Sequence, residues 1–174
     1  MPPFYDIYGF SRKRDPKLIE KFLDKFAFRK SIESWEGCEF EIFENEKYNV
    51  KEKKVPVNTH TEVIDYGVNN LNHGFSFYLG TDGLKDDIKS LILKLTYDSS
   101  IIYGISIEEK TEFGKDNYKR ALELETILKE LLSLDKTSIQ FEYAPADDLE
   151  EFNEGIEMWA GMNIEKRKTL YNNT

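Results

Sequence analysis

A single cysteine, Cys38, stands among 174 residues, so no internal disulfide framework can form and the chain fits a reducing cytosol. Long apolar runs are missing as well. The longest extend over a few residues, against the roughly 20 that a membrane-crossing helix requires. The opening Met1-Pro2-Pro3-Phe4-Tyr5-Asp6 has no basic region followed by an apolar stretch, so it does not read as a secretory leader. Histidine is scarce, with His60 and His73 alone. Absent too are the glycine-rich phosphate loop ending in lysine, the Gly-x-Gly-x-x-Gly turn, the His-Glu-x-x-His pair and any Cys-x-x-Cys. Gly80-Thr81-Asp82-Gly83 lacks the lysine and the length of a phosphate cradle and reads as a turn. Basic charge is the minority: 24 Lys and Arg face 33 Asp and Glu, a formal net charge of −9. That excess argues against non-specific nucleic-acid binding, which depends on clustered cations, and against an anionic membrane surface as partner.

What is present is a chain of single-domain length, 40% hydrophobic and 33% charged, large enough to bury a core without a staple. Its charge is unevenly placed. Residues 12–30 hold eight bases and three acids, and residues 142–157 hold seven acids and no base. Both read as solvated helix faces that could lie near each other, and the acidic one, with nothing local to neutralise it, is the better candidate to steer a partner of opposite sign.

Strand and helix patterns alternate along the chain. Phe4–Phe10 is aromatic and β-branched, a strand; Asp15-Pro16 then supplies an N-cap and a first-turn proline. Leu18, Ile19, Phe22, Leu23 and Phe26 follow at helical spacing, with Lys17, Lys21, Lys25 and Arg29 along another face. Cys38–Glu44 alternates as a strand, Asn45–Lys54 reads as a loop or hairpin turn, and Pro56 confines Val55–Val57 to a sheet edge. Thr59-His60-Thr61-Glu62 has capping-box spacing and predicts a short helix ending near Gly67, with a loop from Gly67 to Gly74. Four segments then show clean period-two alternation: 75–79, 91–97, 101–107 and 139–143. Asp98-Ser99-Ser100 is a hairpin turn between two of them. A helical turn is expected around Leu84–Lys89, and helices over Lys115–Leu134 and from Pro145 or Asp147 onward. Gly155 and Gly161 would weaken the last helix unless close packing calls for them. Tyr171–Thr174 reads as a frayed tail. Ile7-Tyr8-Gly9-Phe10-Ser11 resembles Ile102-Tyr103-Gly104-Ile105-Ser106, and nothing beyond these pentapeptides aligns. Together the elements predict one two-layer α+β domain: an antiparallel-dominated mixed sheet of about five to six strands with helices packed on one face.

Candidate chemistry is sparse. Cys38 lies among apolar neighbours on a strand and reads as core. His60, near Glu62 and Asp65, matches no fixed metal-ligand spacing, so neither a metal nor a cofactor is implied. His73 among asparagines could transfer protons, and a polar pocket is expected from Tyr66, Asn70, Asn72, His73 and Tyr78. The outward sheet face, with Ser76, Tyr78, Lys94, Thr96, Ser106, Glu108, Gln140 and Glu142, carries too little positive charge for nucleic acid. The leading expectation is a non-catalytic, cytoplasmic protein-interaction domain, an inhibitor or neutralising partner of a basic protein. It would act through Asp147, Asp148, Glu150, Glu151 and Glu154, with a second copy of the chain as a further candidate partner. The alternative is a small enzyme working in the pocket at residues 66–78.

Overall fold

The computed structural model describes residues 3–28, 38–44, 52–80, 83–111 and 113–160. Among these residues, seven strands and four helices follow one another as β1 (Phe4–Ser11), α1 (Pro16–Phe26), β2 (Cys38–Glu44), β3 (Glu52–Val57), α2 (His60–Asn69), β4 (His73–Leu79), β5 (Ile88–Leu95), β6 (Ile101–Glu108), α3 (Tyr118–Leu132), β7 (Lys136–Phe141) and α4 (Leu149–Ala160). The strand order is β3-β2-β4-β5-β6-β1-β7. Among the described residues every strand pairing is antiparallel. The body of the sheet is the five strands β4 to β7 and β1; the β2–β3 pair joins it only through Phe43↔Gly74 and Glu44↔His73. The architecture is α+β, as the alternation predicts, and Pro56 lies on an edge strand.

The alternation also selects the core face. Tyr5 and Ile7 of β1, Leu91, Leu93 and Leu95 of β5, and Ile101, Tyr103, Ile105 and Ile107 of β6 point to one side. There they meet Ile19, Phe22, Leu23 and Phe26 of α1, Val63 of α2, and Ala121, Leu124, Leu128 and Leu132 of α3. Asp15 caps α1 by accepting from Lys17 N at 2.9 Å, and Thr59 caps α2 by accepting from Glu62 N at 3.2 Å. α4 packs on the opposite side, where Tyr8, Phe10, Ile92 and Ile102 form a second apolar cluster with Phe152 and Ala146. Burial of these side chains removes enough apolar area from water to hold a helix there, so this part of the outward face is covered rather than wet. β1 is buried on both sides.

Two local expectations are corrected. α2 continues past Gly67 to Asn69, and β4 already begins at His73, so the loop between them is short. Gly67 stays inside the helix for a packing reason: a Cβ there would lie 2.2 Å from Leu95 Cδ2 and 2.8 Å from Phe75 Cζ. No helical turn forms at Leu84–Lys89. Lys85 N instead donates to Phe26 O and Phe28 N to Gly83 O, which draws the segment beside the exit of α1. The two similar pentapeptides are paired neighbours, with Tyr8 opposite Gly104 and Gly9 opposite Tyr103. A Cβ on Gly104 would fall 2.8 Å from the Tyr8 ring, so the glycine makes room for the tyrosine. The strand following β1 is four places away in the sheet and that following β6 is two, so the two halves differ in topology.

Arg14, counted in sequence within a basic surface stretch, is 5% exposed. All five of its N–H donors are used, and all on backbone carbonyls. Nε donates to Ser100 O at 3.2 Å, Nη1 to Gly67 O at 2.5 Å and Asn70 O at 2.9 Å, and Nη2 to His73 O at 2.8 Å and Thr96 O at 2.6 Å. One planar cation thereby joins the end of α2, the start of β4 and the β5–β6 hairpin to the β1–α1 connection. Burial lowers its pKa to about 10, a shift that Asp98 partly opposes, so it remains charged at neutral pH. Hydrogen bonds to a charged group contribute about 1.5–3 kcal/mol each, and an orphaned buried carbonyl is unfavourable. Arg14→Met should therefore lower stability by about 3 kcal/mol or more. Arg14→Lys, whose ammonium cannot span the same five acceptors, should recover only part of that loss. Urea unfolding midpoints of the two variants against the parent check both statements.

Candidate functional site

The side chains expected to form a pocket at residues 66–78 are only partly brought together. Tyr66 Oη and His73 Nδ1 are 2.8 Å apart, and their rings stack at 5.7 Å. Asn70 is used by the backbone: its Nδ2 donates to Tyr66 O at the end of α2, and its carbonyl accepts from Arg14. Asn72 is exposed on the turn. Tyr78 alternates with Phe77 and Leu79 and so projects from the other face of β4, where it is 56% exposed. The five residues do not converge, because an odd number of strand positions separates His73 from Tyr78. His60 is buried with its ring edge-on to Phe77 at 5.2 Å, and Glu62 accepts from Asn58 N in the cap. Among the described residues no group of three or more His, Cys, Asp and Glu forms a metal-sized cluster.

The acidic segment divides into two sets. Asp147 pairs with Lys94 of β5 at 2.6 Å. Asp148 accepts from Glu151 N at 2.9 Å, and Glu151 accepts from Asp147 N at 2.6 Å, a reciprocal cap at the start of α4. These three acids position the helix. Glu150 and Glu154 are exposed, and Glu157 joins them at the next turn; spacings of four and three place all three along one outward ridge. No ion pair engages that ridge among the described residues. The inward side of α4 is held firmly. Phe152 packs on Phe10 at 5.4 Å, and Trp159 meets Tyr143 edge-on at 6.0 Å. Gly155 lets the helix approach β7, since a Cβ there would lie 3.1 Å from Gln140 Nε2. α1, with its lysine stripe, packs on the opposite sheet face, so the basic and acidic helices are not laid against each other.

Beneath the approach to α4 lies a polar row in which the alternation pattern shows Ser106 and Gln140 and leaves Asp6 and Ser90 unnoticed. Cross-strand register aligns Ser90, Ser106, Asp6 and Gln140 across β5, β6, β1 and β7. Asp6 is 8% exposed. Its carboxylate accepts from Ser106 Oγ at 2.6 Å and from Tyr143 N at 3.3 Å. Tyr8 Oη donates to Tyr143 O at 2.7 Å, so both backbone groups of Tyr143 are fastened to β1. Glu142, at φ 51, turns the chain off β7 at this point, and its carboxylate accepts from Phe4 N. Burial pushes the Asp6 pKa up to about 6; the bonds from Ser106 and Tyr143 oppose the rise and nearby Glu142 adds to it. Burial likewise raises the Tyr8 hydroxyl. The one available sequence signal was an aspartate within the apolar run Phe4-Tyr5-Asp6-Ile7-Tyr8. Both carboxylate oxygens are occupied, Oδ1 by Ser106 Oγ and Oδ2 by Tyr143 N. The cluster therefore anchors the segment leading into α4, and it offers no aligned nucleophile, base and orienting group of the kind acyl transfer needs.

No protein-family model, curated protein or solved structure matches the chain. Among the described residues, no helix is long and apolar enough to cross a membrane.

The Asp6 environment carries a testable sign. A carboxyl whose folded pKa lies above its unfolded value favours folding only while protonated, so its contribution is lost as pH rises from about 4 through 6. A rise of about two units corresponds to roughly 3 kcal/mol at pH 7. Asp6→Asn, which keeps the shape without the charge, should be more stable than the parent at pH 7.5 by up to about 3 kcal/mol. The gap should close as pH falls towards 4.5. Paired urea titrations across that range measure it, and a gap independent of pH would contradict the assignment.

Proposed function

We propose that the chain works by binding a basic protein through the outward ridge of α4. The observation that carries this reading is the division of labour among its acids. Asp147, Asp148 and Glu151 are consumed in seating the helix, and Glu150, Glu154 and Glu157 are left exposed and unpaired among the described residues. A helix held by Phe152, Trp159 and the Asp147–Lys94 pair presents those three carboxylates at fixed spacing, so binding need not order them first. The overall charge of −9 adds long-range attraction for a basic partner and raises encounter rates. Exposed Met158 lies near the end of the same helix, and exposed Tyr143, which precedes the helix in the chain, packs edge-on against Trp159 there; both supply apolar contact area of the kind interfaces favour. Such a partner would be inhibited or neutralised by occlusion of its basic surface.

The test is capture from native lysate by the tagged full chain, with mass spectrometry of what is retained. Basic proteins should be recovered at about 50 mM salt and released near 500 mM, where the screening length falls to a few ångströms. Glu150→Lys/Glu154→Lys/Glu157→Lys should abolish the capture while leaving the unfolding midpoint within about 0.5 kcal/mol of the parent, since all three positions are solvent-facing. Recovery of the same proteins by parent and variant would reject the ridge as the binding surface.

A further inference from the structure

The end of β1 opens into a groove of about 450 Å³ that is separate from the outward ridge of α4. Its floor is apolar: Phe10, Leu18, Leu132, Leu134 and Leu149. These come from the end of β1, the first turn of α1, the last turn of α3, the α3–β7 connection and the start of α4. The walls are preformed. Ser133 adopts the left-handed conformation at φ 52, and Leu134 N donates to Lys129 O at 3.0 Å, closing the end of α3. Leu134 is then seated against Gly9, where a Cβ would approach its Cδ1 to 2.3 Å.

The charged groups lining the groove carry a small positive excess, Arg12, Lys13 and Lys136 against Asp15 and Asp135. Arg12 and Lys13 line the groove, are exposed, and have no ion pair among the described residues. Ser11 Oγ donates to Lys13 O at 3.1 Å, which fixes the turn that presents both cations. Of the remaining charged groups lining the groove, Asp15 is occupied in capping α1 and Lys136 in donating to Asn153 Oδ1. Asp135 is exposed, so the uncommitted charges leave a single positive excess.

We propose that this groove is a binding site for a small amphipathic anion, an apolar body carrying one carboxylate or similar head. The hydrocarbon part would displace water from the partly exposed Leu18 and Leu149, over a base of buried Phe10, Leu132 and Leu134. The head would be taken by Arg12, whose planar fork suits a carboxylate, with Lys13 as a second point of charge. The volume lies within the range of small-molecule clefts, and an apolar lining with a few polar groups at one end is their usual chemistry. A neutral ligand would leave both cations without a role, and a short hydrophilic anion would leave the floor unused. This site does not depend on the reading of α4 as a partner-binding helix.

Octanoate is the probe, followed by amide chemical shifts in ¹⁵N-labelled full chain, with octanol and butyrate as the neutral and short controls. Octanoate should give saturable shifts confined to residues 10–18, 132–136 and 149. Octanol and butyrate should each bind about tenfold or more weakly. Arg12→Glu/Lys13→Glu, at exposed positions outside the core, should weaken octanoate by about tenfold or more, and Arg12→Lys/Lys13→Arg should retain it within about threefold. Shifts scattered over the surface, octanol binding as strongly as octanoate, or an unchanged affinity in the charge-reversed variant would each overturn the proposal. Capture experiments with the Glu150/Glu154/Glu157 variant read a different surface, so either result can fail alone.

Discussion

The guanidinium of Arg14 is the contact on which the arrangement of the sheet's upper end depends. Burying a cation without a carboxylate in direct contact is unfavourable unless other negative charge surrounds it. Here that charge is five carbonyl dipoles, two of them, from Gly67 and Asn70, at the negative pole of α2. The same five bonds decide where β4 starts relative to the β5–β6 hairpin and how β1 hands over to α1. Asp98 supplies a formal countercharge at a distance, and its carboxylate also receives Thr96 Oγ1 and Ser100 N to shape the hairpin turn. The loop from which the sequence predicts a ligand pocket is therefore wound around a structural ion. Its asparagine and its carbonyls are directed inward for that purpose.

Legibility in the sequence followed the strength of the period. Alternation through Leu91–Leu95 and Ile101–Ile107 placed the central strands and their core face because those strands are apolar towards three helices and mixed on the other side. The Asp15-Pro16 start of α1 and the Pro56 edge position were readable for equally local reasons, a cap and a missing donor. What escaped depended on distant partners. Arg14 looks like any surface base until five carbonyls from residues 67–100 close on it. Phe10, Ile92 and Ile102 look like incidental apolar residues on a wet face until α4 covers them. His73 and Tyr78 are close in sequence, yet their places along β4 send them to opposite faces.

The candidate site was legible in the same uneven way. The density of acid in residues 142–157 was evident, and its division into seating and exposed groups was not, because that depends on Lys94 and on the cap geometry of α4. Asp6 illustrates a buried charge kept at a position where an apolar residue would pack. It lies under the turn that releases the chain from β7, with Ser106 and Tyr143 as its partners. A group that lowers stability at neutral pH yet fastens the approach to the exposed acidic helix ties the sheet's polar row to the surface proposed to meet a partner.

The position of β1 has a kinetic corollary. This strand lies between β6 and β7, and its hydrogen-bonded partners are drawn from about a hundred residues downstream, as the Asp6–Ser106 contact at a separation of 100 shows. Loop-closure entropy for such a pairing must be met before the contacts reward it. A ribosome would release the aromatic stretch Phe4–Ser11 long before either flanking strand exists. Completion of the sheet thus awaits synthesis through β7, and until then an unpaired hydrophobic strand is exposed to chaperones and to aggregation.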